Sequence, residues 1–119
     1  FYGMNALAII HQKRNIRILL INNGGGAEIH IVPSSNAIPT IDKHIGAAHN
    51  HKAQGWAESM EYKYLKADDK ESFSVALNEF IRTDHDSPVL LEVFTNMKTD
   101  GEFCLSVYRE AEKCINPLL

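Results

Sequence analysis

Residues 17–26, read Arg-Ile-Leu-Leu-Ile-Asn-Asn-Gly-Gly-Gly, constrain what this chain can fold into more than any other stretch. Residues 18–21 are an unbroken apolar run, too short for a helix and followed at once by turn formers. Such a run suits a strand buried on both faces, as in a parallel sheet covered by helices. Two carboxamides, Asn22 and Asn23, then arrive at the strand's C-terminal end, ahead of Gly24, Gly25 and Gly26. In open α/β sheets ligands sit at the carboxyl ends of the strands. An asparagine offers an uncharged oxygen to a hard cation, and glycines let backbone approach a phosphate closely. The plainer alternative is a tight turn after a core strand, since Asn-Gly is a common turn dipeptide.

The rest of the chain supplies alternating helices and strands. A short buried helix is expected over 4–12, with Met4, Leu7, Ala8 and Ile10 on one side. Residues 22–49 show no sustained period. Glycines, Pro33, Ser34, Ser35, Asn36 and Pro39 mark a long loop, interrupted by the alternating Ile29 and Ile31. Loops of that length are functional or mobile, so 22–50 is expected to be poorly ordered without a ligand. Asn50 can cap a helix carrying Ala53, Trp56, Ala57 and Met60. Tyr62, Tyr64 and Leu65 mark a second strand. Asp68 to Glu71 resembles a capping box ahead of the stripe Phe73, Ala76, Leu77, Phe80 and Ile81. Residues 83–88 form a polar turn before a third strand over 89–94. Residues 96–101 form another turn, and a last helix over 102–114 lines Phe103, Val107, Ala111 and Cys114 on one face.

Strands joined through helices imply parallel pairing with right-handed crossovers. The expected fold is therefore a three-layer, doubly wound α/β domain with a mainly parallel sheet, its first strand lying upstream of Phe1. With 119 residues, the chain is one domain over 1–119, and its opening on Phe1 reads as a fragment of something longer. A net charge of −3 gives no basic surplus for nucleic acid, and no apolar run is long enough for a bilayer. Cys104 and Cys114 lie ten positions apart on one expected helix and cannot pair there, so two reduced thiols in a cytoplasmic protein are expected.

Several side chains invite a chemical role. His44, His49 and His51 lie close together, yet positions i and i+2 diverge on a helix and no third ligand has zinc-like spacing. His30 could face a pocket or solvent, and solvent is favoured. Glu28 follows the glycines closely enough to reach a ligand there, but a surface position is the favoured reading. Glu92 interrupts the third strand and needs a partner if buried, with Arg17 or Lys63 as candidates. Neither cysteine has a neighbour that would make it a nucleophile. No Gly-x-Ser-x-Gly, Walker loop or Gly-x-Gly-x-x-Gly is present.

Two stretches, Phe-Tyr-Gly-Met-Asn-Ala-Leu-Ala at 1–8 and Ile-Leu-Leu-Ile-Asn-Asn-Gly-Gly-Gly at 18–26, together resemble the diphosphate-binding domain of thiamine-diphosphate-dependent enzymes. That family's motif runs from an upstream Gly-Asp to Asn-Asn, and the Gly-Asp would fall just before Phe1. Within the family the likeness is greatest to a synthase of the menaquinone pathway, and it extends more loosely to about Thr95. The resemblance implies thiamine diphosphate and Mg²⁺ as cofactors. Asn23 matches the side-chain oxygen ligand of the metal and Gly25 the residue whose carbonyl is another. Asn22, Gly24, Gly26 and Ala27 complete the cofactor-binding loop. The implied activity is decarboxylation of a 2-oxo acid and transfer of the carbanion to an acceptor. A decarboxylase or acetolactate-synthase-like enzyme is the alternative within the family. The family's cofactor-activating Glu lies on a separate pyrimidine-binding domain of the same or a neighbouring subunit, in a homo-oligomer. No catalytic residue is therefore assigned here, and the isolated domain is expected to be inactive. Outside that family, a non-catalytic α/β interaction domain would use residues 22–26 only to turn the chain.

Overall fold

A computed structural model describes residues 3, 5–8, 15–32, 38 and 40–115. The chain forms two compact units, Phe1–Asn22 with His51–Phe94, and Asn23–Asn50 with Thr95–Leu119.

The first unit is built on a three-stranded sheet of β1 (Arg17–Asn22), β2 (Lys63–Ala67) and β3 (Val89–Phe94), in the order β1-β3-β2. Both pairings are parallel, and Leu91 lies opposite Leu19 on one side and Leu65 on the other. The central β3 is buried from Val89 to Glu92, as its near-continuous apolar run requires. Side chains alternate across a strand, so neighbouring residues of β3 serve two different cores. Leu90 packs with Leu7, Ala53, Ala57 and Tyr62, below the helix α2 (Gln54–Ser59). Leu91 packs with Ala67 and Ala76, below the helix α3 (Lys70–Phe80). Helix, sheet and helix make three layers, and each fully buried Leu contributes about 1.5–3 kcal/mol. The α/β class and the parallel sheet agree with the sequence pattern.

Several expectations shift. β1 was expected to be buried on both faces, but Leu19 is 50 % and Ile21 53 % exposed. α3 packs over β2 and β3. A helix roughly 10 Å across covers two strands about 4.8 Å apart, not three. Residues 5–8 form a 3-10 turn with Leu7 buried; Met4 and 9–12 of the expected first helix lie outside the described residues. Asn50 does not cap α2, whose N-cap is Ala53 with no side-chain cap bond, and Trp56 is exposed. The cap of α3 falls one residue later than expected, on Asp69. Its carboxylate accepts from the Ser72 N–H at 2.7 Å, while the Ser72 hydroxyl accepts from the Asp69 N–H at 3.1 Å. The Ser72 N–H, and secondly the Ser72 hydroxyl donating to the same carboxylate at 2.8 Å, hold the Asp69 carboxyl below its ordinary pKa.

The second unit contains no strand among its described residues. A 3-10 turn over Ala27–His30 and a four-residue helix α1 (Ile41–His44) lie within the stretch that lacked any period. A long helix α4 (Met97–Ile115) begins where a turn was expected. Asn96 is the reason, since its side-chain oxygen accepts from the Lys98 and Thr99 N–H groups at 3.0 and 3.2 Å. α4 packs against the 3-10 turn through Gly101, where an added Cβ would lie 2.6 Å from the His30 Cβ. The expected stripe is not the buried face. Phe103 is 70 % exposed, and Val107, Ala111 and Cys114 are exposed as well. Gly101 permits the close approach, and Phe103 lies about 200° away around the helix. Both cysteines are free, on the one helix.

Candidate functional site

The polar end of β1 divides into an anchored residue and a tight loop. Asn22 is buried, and its side-chain amide donates to the Glu92 Oε1 at 2.7 Å and to the His51 carbonyl at 2.8 Å. Glu92 itself is 0 % exposed. Its carboxylate also accepts from the Ala53 N–H, 3.0 Å from each oxygen, and from the Tyr64 hydroxyl at 2.7 Å. Burial, first, and the hydrogen bond to Glu92, second, push the Tyr64 hydroxyl well above the ordinary phenol range, which keeps it a donor. Neither expected cation reaches Glu92. Arg17 donates instead to the carbonyls of Phe80 and Arg82 at 3.0 and 2.8 Å, and Lys63 pairs with Glu79. Strand parity explains the difference. Tyr64 lies opposite Leu90 and Asn22 opposite Phe94, which places both on the face of the sheet that carries Glu92.

The loop that follows belongs to the second unit. Asn23 folds back so that its side-chain oxygen accepts from the Gly25 N–H at 3.1 Å, and its carbonyl accepts from the Met97 N–H at 2.8 Å. Gly24 sits at φ +78°, a left-handed conformation that favours glycine, and its carbonyl accepts from the His49 N–H at 2.8 Å. The Gly26 N–H donates to the Gly46 carbonyl at 2.7 Å. Gly25 is the most confined of the three. An added Cβ there would lie 2.6 Å from the Met97 Sδ and 2.8 Å from the Gly46 carbonyl oxygen. Among the described residues no hydrogen bond engages the Gly25 carbonyl. Ala27 opens the 3-10 turn, and Glu28 places its carboxylate within reach of Gly26.

Other sequence candidates are not gathered here. His44 and His51 are exposed. His30, expected in solvent, is 5 % exposed, because Gly101 lets α4 close over it. No three His, Cys, Asp or Glu side chains converge among the described residues. Asn23 and Gly25 supply the oxygens that a hard divalent ion prefers. A groove of about 810 Å³ runs along α3, but none of its lining residues belongs to the glycine loop.

No family model matches the chain. Curated relatives do. A 2-succinyl-5-enolpyruvyl-6-hydroxy-3-cyclohexene-1-carboxylate synthase from Bacteroides thetaiotaomicron is 37 % identical over 114 residues, 95 % of this chain and 20 % of that protein. Synthases of the same name from Bacteroides fragilis and Phocaeicola vulgatus are 36 % and 39 % identical, over 92 % and 91 % of the chain. This chain is similar to one part of that synthase. It spans 20 % of the length of each of these three relatives. The resemblance to the synthase of the menaquinone pathway therefore stands, and it covers nearly the whole chain.

Proposed function

We propose that this chain is the diphosphate-anchoring domain of a thiamine-diphosphate- and Mg²⁺-dependent enzyme of the kind its relatives' name describes. The Asn23 side-chain oxygen and the Gly25 carbonyl would be its two ligands to the metal. Asn22, Gly24, Gly26 and Ala27 would shape the loop around the diphosphate. The observation that carries this reading is the confinement of Gly25, which has no room for a side chain and whose carbonyl accepts no hydrogen bond among the described residues. Mg²⁺ is held by a few protein oxygens together with phosphate oxygens, so a two-ligand loop suits a bridging role. When bound, the cofactor supplies a carbanion-stabilising centre for attack on a 2-oxo acid, and the protein supplies orientation. Transfer to an acceptor, a pyrimidine-binding domain from the same or a neighbouring subunit, a homo-oligomer and a cytoplasmic setting belong to the same proposal. No helix among the described residues is long and apolar enough to cross a membrane.

Titration calorimetry of the full-length protein with thiamine diphosphate and Mg²⁺ tests the reading. Asn23→Ala is expected to weaken binding at least about tenfold, as loss of a metal-site partner does. Equal affinity in both proteins would remove Asn23 from the site. No heat with the unaltered protein would favour a non-catalytic interaction domain.

A further inference from the structure

The stretch 41–49 forms one wall of the glycine loop, yet little of its own structure holds it there. α1 is a single turn of four residues, far below the length at which a helix persists by itself, and its N-cap Thr40 makes no side-chain cap bond. The stretch nevertheless fixes the loop at three points. The Gly46 carbonyl accepts from the Gly26 N–H, the His49 N–H donates to the Gly24 carbonyl, and Gly46 and Ala48 press on Gly25. Ala47 stands between them at φ +49°, a strained conformation for a residue with a Cβ, so something must hold this turn in place.

Asp42 is the common point. Its backbone carbonyl accepts from the Ala48 N–H at 2.9 Å, and its side-chain oxygen lies 2.8 Å from the buried His30 Nε2. The two side-chain atoms are in contact without the alignment of a hydrogen bond. His30 is itself immobilised, wedged where Gly101 of α4 leaves no space for a Cβ. Beside this contact, α1 is seated by the buried Ile41 and by Ile29 lying against Gly46. The contact therefore links a fixed point on the 3-10 turn to the residue that sets the position of Ala48.

We infer that His30 and Asp42 are positioning residues for the glycine loop, holding 41–49 against Gly24, Gly25 and Gly26 and so aiming the Gly25 carbonyl. This rests on the cofactor-anchoring reading above. Partners that orient ligands typically cost about 10–100-fold in metal affinity when lost. The Asp42 side chain is 46 % exposed, although its oxygen facing His30 is buried.

The test titrates Mg²⁺ with thiamine diphosphate into the full-length protein and into Asp42→Ala, Asp42→Asn, His30→Gln and the His30→Gln/Asp42→Ala double variant. Asp42→Ala is expected to bind about tenfold more weakly. Asp42→Asn, which keeps an oxygen facing His30, recovers part of that loss, and the double variant binds no more weakly than Asp42→Ala. Wild-type affinity in Asp42→Ala, or losses that multiply in the double variant, would overturn the inference while leaving the cofactor reading intact. Absence of binding by the unaltered protein would instead overturn the cofactor reading, and the inference with it.

Discussion

In the sheet unit, order comes from side chains: Val89, Leu90 and Leu91 are closed off by apolar neighbours, and the one carboxylate among them is saturated by donors. In the loop unit, order comes from side chains that are missing. Gly25, Gly46 and Gly101 each sit where a Cβ would fall under 3 Å from another atom, and backbone bonds join the facing segments. The first design tolerates changes of shape that keep volume and polarity satisfied. The second tolerates almost no added atom, but it presents carbonyls and N–H groups that a core would have consumed. A site for an ion and a phosphate belongs in the second kind of structure.

Substitutions can break that contrast or sharpen it. The largest effect is expected at Glu92. Glu92→Ala leaves the Asn22 amide, the Ala53 N–H and the Tyr64 hydroxyl buried without their acceptor, at about 1–3 kcal/mol for each donor left unsatisfied. Urea denaturation of the full-length protein should show a loss of about 3 kcal/mol or more; a loss under 1 kcal/mol would mean that water replaces the carboxylate and the sheet unit is not so closed. Gly101→Ala asks the same question of the loop unit. Alanine gains about 1 kcal/mol of helix propensity, while forcing a methyl into a full space costs about 1–3 kcal/mol. The net expectation is a loss of about 1 kcal/mol in denaturation; a gain in stability would show that the close approach is easily relaxed.

The smallest effect concerns the turn after α3. Arg82 hydrogen-bonds to Asp84, chiefly through its guanidinium, and lowers that carboxyl from 3.8 to about 2. A carboxyl whose pKa is depressed by folding binds fewer protons in the folded state. Its contribution is complete above pH 3.8 and disappears as pH falls towards 2. Asp84 is fully exposed, so the effect is modest and screened by salt. Asp84→Asn should flatten the acid limb of the stability curve in that interval, measured at low ionic strength. An unchanged limb would assign acid sensitivity to other groups.

The two units also differ in how far the sequence reveals them. β3 is readable to the residue, because an apolar run between a polar turn and Thr95 has one solution. β1 and α3 are readable to within one residue, since a period of 2 or 3.6 survives any uncertainty about neighbours. The partners of Glu92 are not readable, because they depend on which strands are adjacent and in what register. In the loop unit the Asn-Asn-Gly-Gly-Gly run itself is conspicuous. The burial of His30, the seat of α1 and the buried face of α4 are not, since close approach at a glycine leaves no trace in hydrophobic periodicity. Asn96, by contrast, is a cap residue by type, and its side-chain oxygen starts α4 within the stretch whose polarity suggests a turn.

The half-exposed Leu19 and Ile21 have a practical consequence. Among the described residues β1 is hydrogen-bonded to a strand on one side only, and Leu19 and Ile21 leave apolar surface exposed on one face beside that unpaired edge. An unpaired edge of backbone N–H and C=O groups next to apolar surface is a template for unwanted pairing with other copies, and proteins normally shield it. Expressed as a separate polypeptide, this stretch is therefore expected to clump at high concentration, and a lysine at Leu19 should raise its solubility without disturbing the glycine turn.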